Sequence, residues 1–390
     1  MNRESRTATL AVSIASATTT TLPAFLTGAL AVVIRRHLGL TTTQLGLLVS
    51  TFFAAAIPLS LLVGPRVNTL GVEKLMRAAV AATVISLLTI ALLDRSFFSI
   101  LISLVLAGAA NGVMQPTVNQ FMVGRIKLKG QGLAYGIKQG AVPLATLLAG
   151  LAVPLVALTI GWRYGYLGAA IIGIITLFAI PAASGDHESQ GNRGHTKVVL
   201  RPLIILSIGM AFGAGAANAM GAFLVSSNVH SGFSPGIAGY LAALGSASSF
   251  ITRILSGYFA DRRRGNHLTV VSVMLLIGAI GYLLLSLGNP GLVIFAGILA
   301  YAAGWGWNGV FNFAITKTHP GSTAHATGIT QAGLYCGSLF GPLLFGVLVD
   351  HFSFTVAWRV NAIFAVIGGI AMLIGRRALQ RELANRNLDI

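Results

Sequence analysis

Acidic residues are scarce in this 390-residue chain, which has nine of them against 26 lysines and arginines and a formal net charge of +17. Charged residues of both signs make up only 9 % of the chain, whereas 55 % of it is hydrophobic. About a quarter of the residues in a soluble globular domain are charged, so this composition excludes that class and indicates a membrane protein. At roughly 20 apolar residues per crossing, the chain has room for about twelve membrane-spanning helices.

Cysteine occurs once, at Cys336, which excludes an internal disulfide and says nothing about the redox compartment. The eight histidines lack the spacing of metal ligands, and no catalytic constellation stands out. The segment GWGWNG at 304–309 fits the dinucleotide pattern G-x-G-x-x-G, but no strand precedes it and no acidic residue follows at the required distance. We therefore expect no metal, no cofactor and no enzymatic activity.

Breaking the sequence at charge clusters and Pro/Gly turns predicts twelve helices and an all-α membrane protein. The first apolar segment has no small-residue cleavage site before Ile34, so it is interpreted as a retained helix and not a signal peptide. The spans are 8–34, 42–64, 74–93, 97–122, 131–154, 164–183, 202–228, 236–259, 267–287, 291–315, 326–349 and 355–375. The long polar stretch 184–201 predicts a cytoplasmic linker between an N-terminal six-helix bundle, 1–183, and a C-terminal bundle with a short tail, 202–390.

The basic residues predict the orientation, because lysine and arginine collect in cytoplasmic loops. Placing both termini in the cytoplasm puts 19 basic residues on that side and five outside, namely Arg35, Arg36, Arg95, Arg163 and Arg359. The positive charge then reflects topology and attraction to anionic lipid, and we expect no nucleic-acid partner because no basic residues alternate with aromatics on a soluble face. Short loops without sorting or glycosylation features favour the inner membrane of a bacterium.

Three short matches between the two predicted bundles indicate an internal repeat. The segment GIKQG at 136 recurs as GITQA at 328, NGV at 111 recurs at 308, and GWRYG at 161 resembles AWRVN at 357. The offsets of 192, 197 and 196 residues are nearly equal, and each match falls in equivalent helices. One ancestral half copied in tandem explains this agreement.

With six plus six helices and a polar central loop, the chain resembles the major facilitator superfamily over essentially its whole length. The segment GYFADRRRG after the eighth predicted helix is similar to the family signature Gly-x-x-x-Asp-Arg through Gly257, Asp261 and Arg262. The equivalent loop after the second helix keeps Gly64 but has Asn68 where the family expects aspartate. The resemblance implies a monomer and a gating role for these five residues.

In the resembling family the signature aspartate holds the cytoplasmic gate closed. This role is physically reasonable because a carboxylate is favoured at the N-terminus of a neighbouring helix. The alternative is that Asp261 only ends its own helix and balances the three arginines that follow it.

Polar side chains form a stripe on two predicted spans, at helical spacing. Those on the fourth span are Asn111, Gln115 and Asn119, and those on the tenth are Tyr301, Trp305, Asn308 and Asn312. The resemblance implies that the first, fourth, seventh and tenth helices line a central cavity, where Asn218 of the seventh would join both stripes. Hydrogen bonds between helices, about 0.6 kcal/mol each, are the alternative role for any one of these amides.

Lys138 and Arg253 lie inside predicted spans, roughly 12 to 14 Å from the cytoplasmic loops at about 1.5 Å per residue. All nine acidic residues fall in loops, tails or helix ends, so neither cation has an obvious protein counter-ion in the membrane. A charge at this depth usually has a partner or a function, and an anion from solution would neutralise both. The alternatives are that Arg253 caps backbone carbonyls and that Lys138 snorkels to the surface.

The sequence therefore predicts a secondary active transporter that moves a small organic or inorganic anion by alternating access, with membrane lipid as a partner and, if transport is proton-coupled, protons as well. Arg253, four residues before Gly257, loosely resembles the placement in the monocarboxylate/oxalate branch of the family, and the run 132–154 loosely resembles the cyanate-permease-like branch, which supports an anionic substrate. The predicted substrate-binding residues are Arg253, Lys138, Asn111, Gln115, Asn218, Trp305, Asn308, Asn312, Gln139, Gln331 and Tyr335.

Two other functions stay open. A proton-coupled efflux pump for drugs or lipophilic metabolites usually relies on an acidic residue within its spans and on a Gly-Pro-rich fifth helix, whereas the fifth span here offers only GAVP. A non-transporting membrane sensor would more often carry an appended soluble domain.

Overall fold

The structure is a computed structural model that describes residues 3–93, 96–123, 131–181, 199–263, 265–319 and 323–385. Within these ranges the chain is helical apart from short turns, which confirms the predicted all-α class. In the first half of the chain, residues 3–181, the helices are α1 Arg3–Ala29, α2 Ala31–Leu38, α3 Thr42–Val63, α4 Val67–Leu70, α5 Val72–Leu92, α6 Phe97–Val123, α7 Gln131–Gln139, α8 Ala141–Ala152 and α9 Trp162–Ala179. In the second half, residues 199–385, they are α10 Leu200–His230, α11 Pro235–Arg262, α12 His267–Leu285, α13 Pro290–Ala302, α14 Asn308–Thr318, α15 Thr323–His351 and α16 Phe354–Asn385.

Ten segments of the described chain are long and apolar enough to cross a membrane. Two of the twelve predicted spans are not among them. The span 236–259 forms α11, which carries Arg253 and several serines, and the span 291–315 is divided into α13 and α14. The exact count of twelve crossings stays a prediction, as does the linker 184–201, because residues 182–198 lie outside the described ranges.

The predicted fifth span is interrupted at Gly140, between α7 and α8. A helical carbonyl accepts a hydrogen bond from the N–H four residues later, and the residue four positions after Gln139 is Pro143, which has no N–H. The carbonyl of Gln139 therefore has no helical donor. Such a freed carbonyl is tolerated at membrane depth only where another protein group or water satisfies it.

The predicted tenth span is interrupted between Ala302 and Asn308, within the segment GWGWNG. Gly306 lies so close to the backbone of Ala302 that a Cβ on Gly306 would be 2.1 Å from the Ala302 carbonyl oxygen. Only glycine, which has no Cβ, fits this turn. Both interruptions lie in the buried interior of the bundle.

Helices of the two halves pack directly against one another: α1 against α10, α3 against α15, and α7 and α8 against α11. The last contact brings the fifth and eighth predicted spans together. Small residues allow the close approach, because a Cβ on Gly28 would lie 2.7 Å from the Cα of Ala222, and one on Gly46 would lie 2.5 Å from the carbonyl oxygen of Pro342.

The bundle has two ends, which we name by an acidic residue at each. The Asp261 end holds the C-terminus of α11 and the N-terminus of α7, and the Asp350 end holds the C-terminus of α15 and the N-terminus of α3. Which end faces the cytoplasm stays a prediction.

Candidate functional site

Arg253 is fully buried in α11. Its Nη1 donates to the carbonyl of Gln139, and its Nη2 donates to the carbonyl of Trp305 at 2.8 Å. Gln139 ends α7, and Trp305 lies in the interruption between α13 and α14, so the guanidinium joins the two interrupted helices across the halves. The structure thus shows the carbonyl-capping contact that the sequence left open as an alternative, while Nε of Arg253 has no partner.

Lys138 is 4 % exposed, and its Nζ donates to Oε1 of Gln115 on α6 at 3.0 Å. The ammonium therefore ends on a neutral amide inside the bundle. Its charge and that of Arg253 lie close enough to repel each other. Among the described residues no carboxylate pairs with either cation, so both have neutral hydrogen-bond partners only.

Amide side chains continue this cluster from the first half into the second. Nε2 of Gln139 donates to Oδ1 of Asn308 at 3.2 Å, and Nδ2 of Asn312 donates to the same oxygen at 2.9 Å. The ring of Trp305 has the Arg253 guanidinium 5.9 Å from its centroid and meets the ring of Phe25 edge-on at 5.4 Å. One connected cluster results, which we call the central cluster: Gln115, Lys138, Gln139, Arg253, Trp305, Asn308 and Asn312.

The remaining predicted substrate residues make separate contacts. Asn111 donates to Thr21 of α1 at 3.0 Å, and Asn218 donates to Ser338 of α15 at 3.0 Å, so both form hydrogen bonds between helices. Tyr335 is buried on α15. Gln331 is half-buried on α15. Whether these four contact a substrate stays a prediction.

The predicted gating residues lie at the Asp261 end. Oδ2 of Asp261 accepts a hydrogen bond from the backbone N–H of Leu133 at 2.9 Å, in the first turn of α7. This contact joins the two halves, so Asp261 does more than end its own helix. The guanidinium of Arg262 lies 4.1 Å from the ring centroid of Tyr258.

The glycines of the predicted gate have different surroundings. Gly257 is buried where α7 crosses α11, since a Cβ on Gly136 would lie 3.4 Å from its Cα. Gly64 caps the C-terminus of α3, and Asn68 is exposed in α4. The signature of the second half therefore contacts the first half through Asp261. Asn68, which stands where the family signature has aspartate, has an exposed side chain.

Asp350 was not predicted as a functional residue, yet it makes the equivalent contact at the other end. Its Oδ1 and Oδ2 accept hydrogen bonds from the backbone N–H groups of Thr42 and Thr43 at 3.1 and 2.6 Å, at the N-terminus of α3. The capping box formed by Thr41 and Gln44 is the sequence signal for that helix start. Nothing in the sequence shows that a carboxylate from residue 350 would reach it.

Comparisons with known proteins agree with this architecture. The sequence model of the Major Facilitator Superfamily matches residues 9–331 and 232–387. A protein described as an MFS-type transporter, from Gibberella moniliformis (strain M3125 / FGSC 7600), is 29 % identical over 147 residues, which are 36 % of this chain and 33 % of that protein. The match thus spans about a third of the length of that curated relative.

Two solved structures share the fold at low sequence identity. A bacterial homologue of the human lysosomal transporter Spinster, inward-facing and unoccupied, is 17 % identical with a TM-score of 0.71 and covers 98 % of this chain and 99 % of its own. A D-xylose-proton symporter is 16 % identical with a TM-score of 0.76, over 93 % of this chain and 96 % of its own. The chain therefore belongs to the Major Facilitator Superfamily and is a multi-pass membrane protein of a transporter family.

Proposed function

We propose that the protein transports a small organic or inorganic anion across the bacterial inner membrane by alternating access. The observation that carries this proposal is the pair of buried cations, Lys138 from the first half and Arg253 from the second, which only neutral groups contact among the described residues.

Burying a charge without a counter-ion is unfavourable by several kcal/mol, and two like charges side by side add repulsion. An anion between the two cations would offset both effects, and its binding would gain charge-assisted hydrogen bonds. Donors are available, because Nε of Arg253 has no partner and an ammonium group carries three N–H bonds of which Gln115 takes one.

The central cluster supports alternating access because its contacts join the halves. Arg253 caps the carbonyl of Gln139, and the amide of Gln139 reaches Asn308. An anion bound by Arg253 attracts the same guanidinium that caps the carbonyl of Gln139, so its arrival changes how α7 is held against α11 and α14. Interrupted helices at such a site are a recurring feature of transporters that rock about a central site.

In this proposal the Asp261 end is cytoplasmic, and the bond from Leu133 to Asp261 breaks when that end opens. No carboxylate is paired with the two cations in the described part of the chain, so a proton would travel with the substrate as a neutral acid, or one anion would exchange for another.

The experiment is thermal unfolding of the purified protein against mono- and dicarboxylates, cyanate and nitrate, with neutral and cationic compounds beside them. Wild type is compared with Arg253→Ala and with Arg359→Ala, which removes the same charge from an exposed position. At about 100 times its dissociation constant, a substrate stabilises the protein by about 2.7 kcal/mol. We expect one class of anion to stabilise wild type and Arg359→Ala but not Arg253→Ala.

Equal stabilisation of all three proteins by anions would refute the role of Arg253. Stabilisation by lipophilic cations alone would favour the efflux pump instead. An anion found in this way is then tested by uptake of its radiolabelled form into proteoliposomes.

A further inference from the structure

A basic cavity lies at the Asp350 end, outside the central cluster. Its volume is about 500 Å³, and residues of both halves line it. The first half contributes Arg35 and Arg36 from α2, and the second half contributes Ser226 and His230 from α10. Val229 and the ring of Phe354, which packs 4.9 Å from the His230 ring, complete its apolar wall.

Two polar side chains of this cavity, Arg35 and Ser226, have N–H or O–H groups that donate no hydrogen bond within the described part of the protein. Nε of Arg35 donates to the carbonyl of Leu40 at 3.0 Å, which fixes the side chain against the wall and leaves its two terminal nitrogens for another acceptor. Ser226 is 6 % exposed, and its Oγ has no hydrogen-bond partner. A buried hydroxyl without a partner is unfavourable, so a ligand oxygen at this position would satisfy it.

Acidic groups do not neutralise the cavity among the residues that the structure describes. Asp350 is the acidic residue at this end of the described chain, and the amides of Thr42 and Thr43 occupy its two oxygens. The arginines therefore keep their positive potential. Arginine presents N–H groups in a planar fork that matches carboxylate and phosphate oxygens.

This cavity and the central cluster around Arg253 have different lining residues and lie at different heights in the bundle. Phe25 of α1 touches Trp305, and Val32 of α2, which lines the cavity, follows seven residues later, about 10 Å further at about 1.5 Å per helical residue. On α10, a Cβ on Gly221 would lie 2.7 Å from the Trp305 ring, and Ser226 follows five residues later, about 8 Å away. The cavity thus lies one to two helical turns beyond the central cluster, towards the Asp350 end.

We propose that this cavity is a second anion site, which binds a carboxylate or phosphate group between the halves at the Asp350 end. Arg35 and Arg36 hold the oxyanion, and the hydroxyl of Ser226 donates to one of its oxygens. The inference that a transported anion pauses here before it reaches Arg253 rests on the proposed function, whereas oxyanion binding by the cavity does not. The oxyanion comes either from a soluble molecule or from a lipid headgroup.

Because the chain has one native cysteine, a single substitution gives a cysteine-free background for thiol labelling. In a Cys336→Ser background, Val229→Cys places one thiol in the cavity, and Leu287→Cys places one on an exposed turn at the same end. Each purified protein reacts with a sulfonate-bearing and with a trimethylammonium-bearing methanethiosulfonate. We expect the ratio of anionic to cationic reaction rates to be roughly tenfold higher at Val229→Cys than at Leu287→Cys. The ratio should fall to the control value when Arg35→Gln and Arg36→Gln are added.

The rate at which Val229→Cys is labelled in the presence of oxyanions shows whether the cavity binds them and which source they come from. Inorganic phosphate or acetate, replacing chloride at constant ionic strength, should slow labelling of Val229→Cys if the ligand is soluble. Nanodiscs that contain phosphatidylglycerol, compared with phosphatidylcholine alone, should slow it if the ligand is a lipid headgroup. A rate ratio equal to the control, or no protection by either source, would overturn the proposal.

Two further variants keep the result interpretable. Ser226→Ala removes the hydroxyl without a partner and should raise the phosphate or lipid concentration for half protection roughly tenfold, even if the double arginine variant does not fold. Arg253→Ala should leave the labelling ratio and the protection unchanged. If anions fail to stabilise the protein against unfolding but still protect Val229→Cys from labelling, the proposed central site is wrong and the cavity proposal stands.

Discussion

The contact between Arg253 and Gln139 predicts an energetic coupling between Arg253 and Pro143. Pro143 is the reason why the carbonyl of Gln139 has no helical donor, and Nη1 of Arg253 supplies the missing hydrogen bond. The variant Arg253→Met keeps most of the side-chain volume but leaves the carbonyls of Gln139 and Trp305 without this donor. A buried acceptor left unsatisfied costs about 1 to 3 kcal/mol, so the two carbonyls together lose about 2 to 6 kcal/mol. Removal of an uncompensated buried charge offsets part of that loss.

The single variant thus mixes two opposing effects, and a double-mutant cycle separates them. Pro143→Ala restores a backbone N–H four residues after Gln139, so Arg253→Met should cost about 1 to 3 kcal/mol less in that background than in wild type. The free energies come from equilibrium unfolding in SDS mixed micelles. Pro58→Ala, which makes the same exchange at an exposed position inside α3, serves as the control background and should show no coupling. If the Pro143 and Arg253 effects add to within about 0.5 kcal/mol, Arg253 does not replace the missing helical donor.

Two further outcomes follow from the contacts between the halves. Gly136→Ala should destabilise the protein by about 1 to 3 kcal/mol in the same unfolding assay, because its Cβ would lie 2.4 Å from a backbone oxygen of α11, whereas Gly168→Ala meets no atom within 4 Å and should be neutral or stabilising. Asp350→Asn should weaken closure of the Asp350 end by about 0.3 to 2 kcal/mol, since it removes a charge from the N-terminus of α3. Spin labels at Thr159 and Leu287, in the Cys336→Ser background, should then show more of the longer distances across that end, and an unchanged distribution would contradict a closing role for Asp350.

The sequence predicted the class of fold because membrane helices need long apolar segments, and the composition makes these easy to find. All ten apolar segments of the described structure coincide with predicted spans. The burial of Lys138 and Arg253 was also predictable, since both interrupt apolar segments at a distance from the polar loops.

The partners of these cations were not predictable in the same way. The carbonyl of Gln139 is 114 residues from Arg253 in sequence, and its lack of a helical donor depends on Pro143, a residue whose missing N–H matters only once α11 lies beside it. Helical spacing predicted that Asn111 and Gln115 share one face of α6. The structure pairs Asn111 with Thr21 and Gln115 with Lys138. Helical spacing fixes which side chains share a face, whereas the neighbouring helices decide which partner each one meets.

Asp261 and Asp350 make the same kind of contact between the halves, one at each end of the bundle. Each carboxylate ends a helix of the second half and accepts backbone N–H groups at the start of a helix of the first half. A carboxylate at a helix N-terminus contributes about 0.3 to 2 kcal/mol. In the alternating-access cycle that we propose, contacts of this size at both ends would keep the conformations within a few kcal/mol of each other. A ligand that binds one conformation tenfold more tightly supplies about 1.4 kcal/mol, so a single anion at the proposed central site would be enough to shift such a balance.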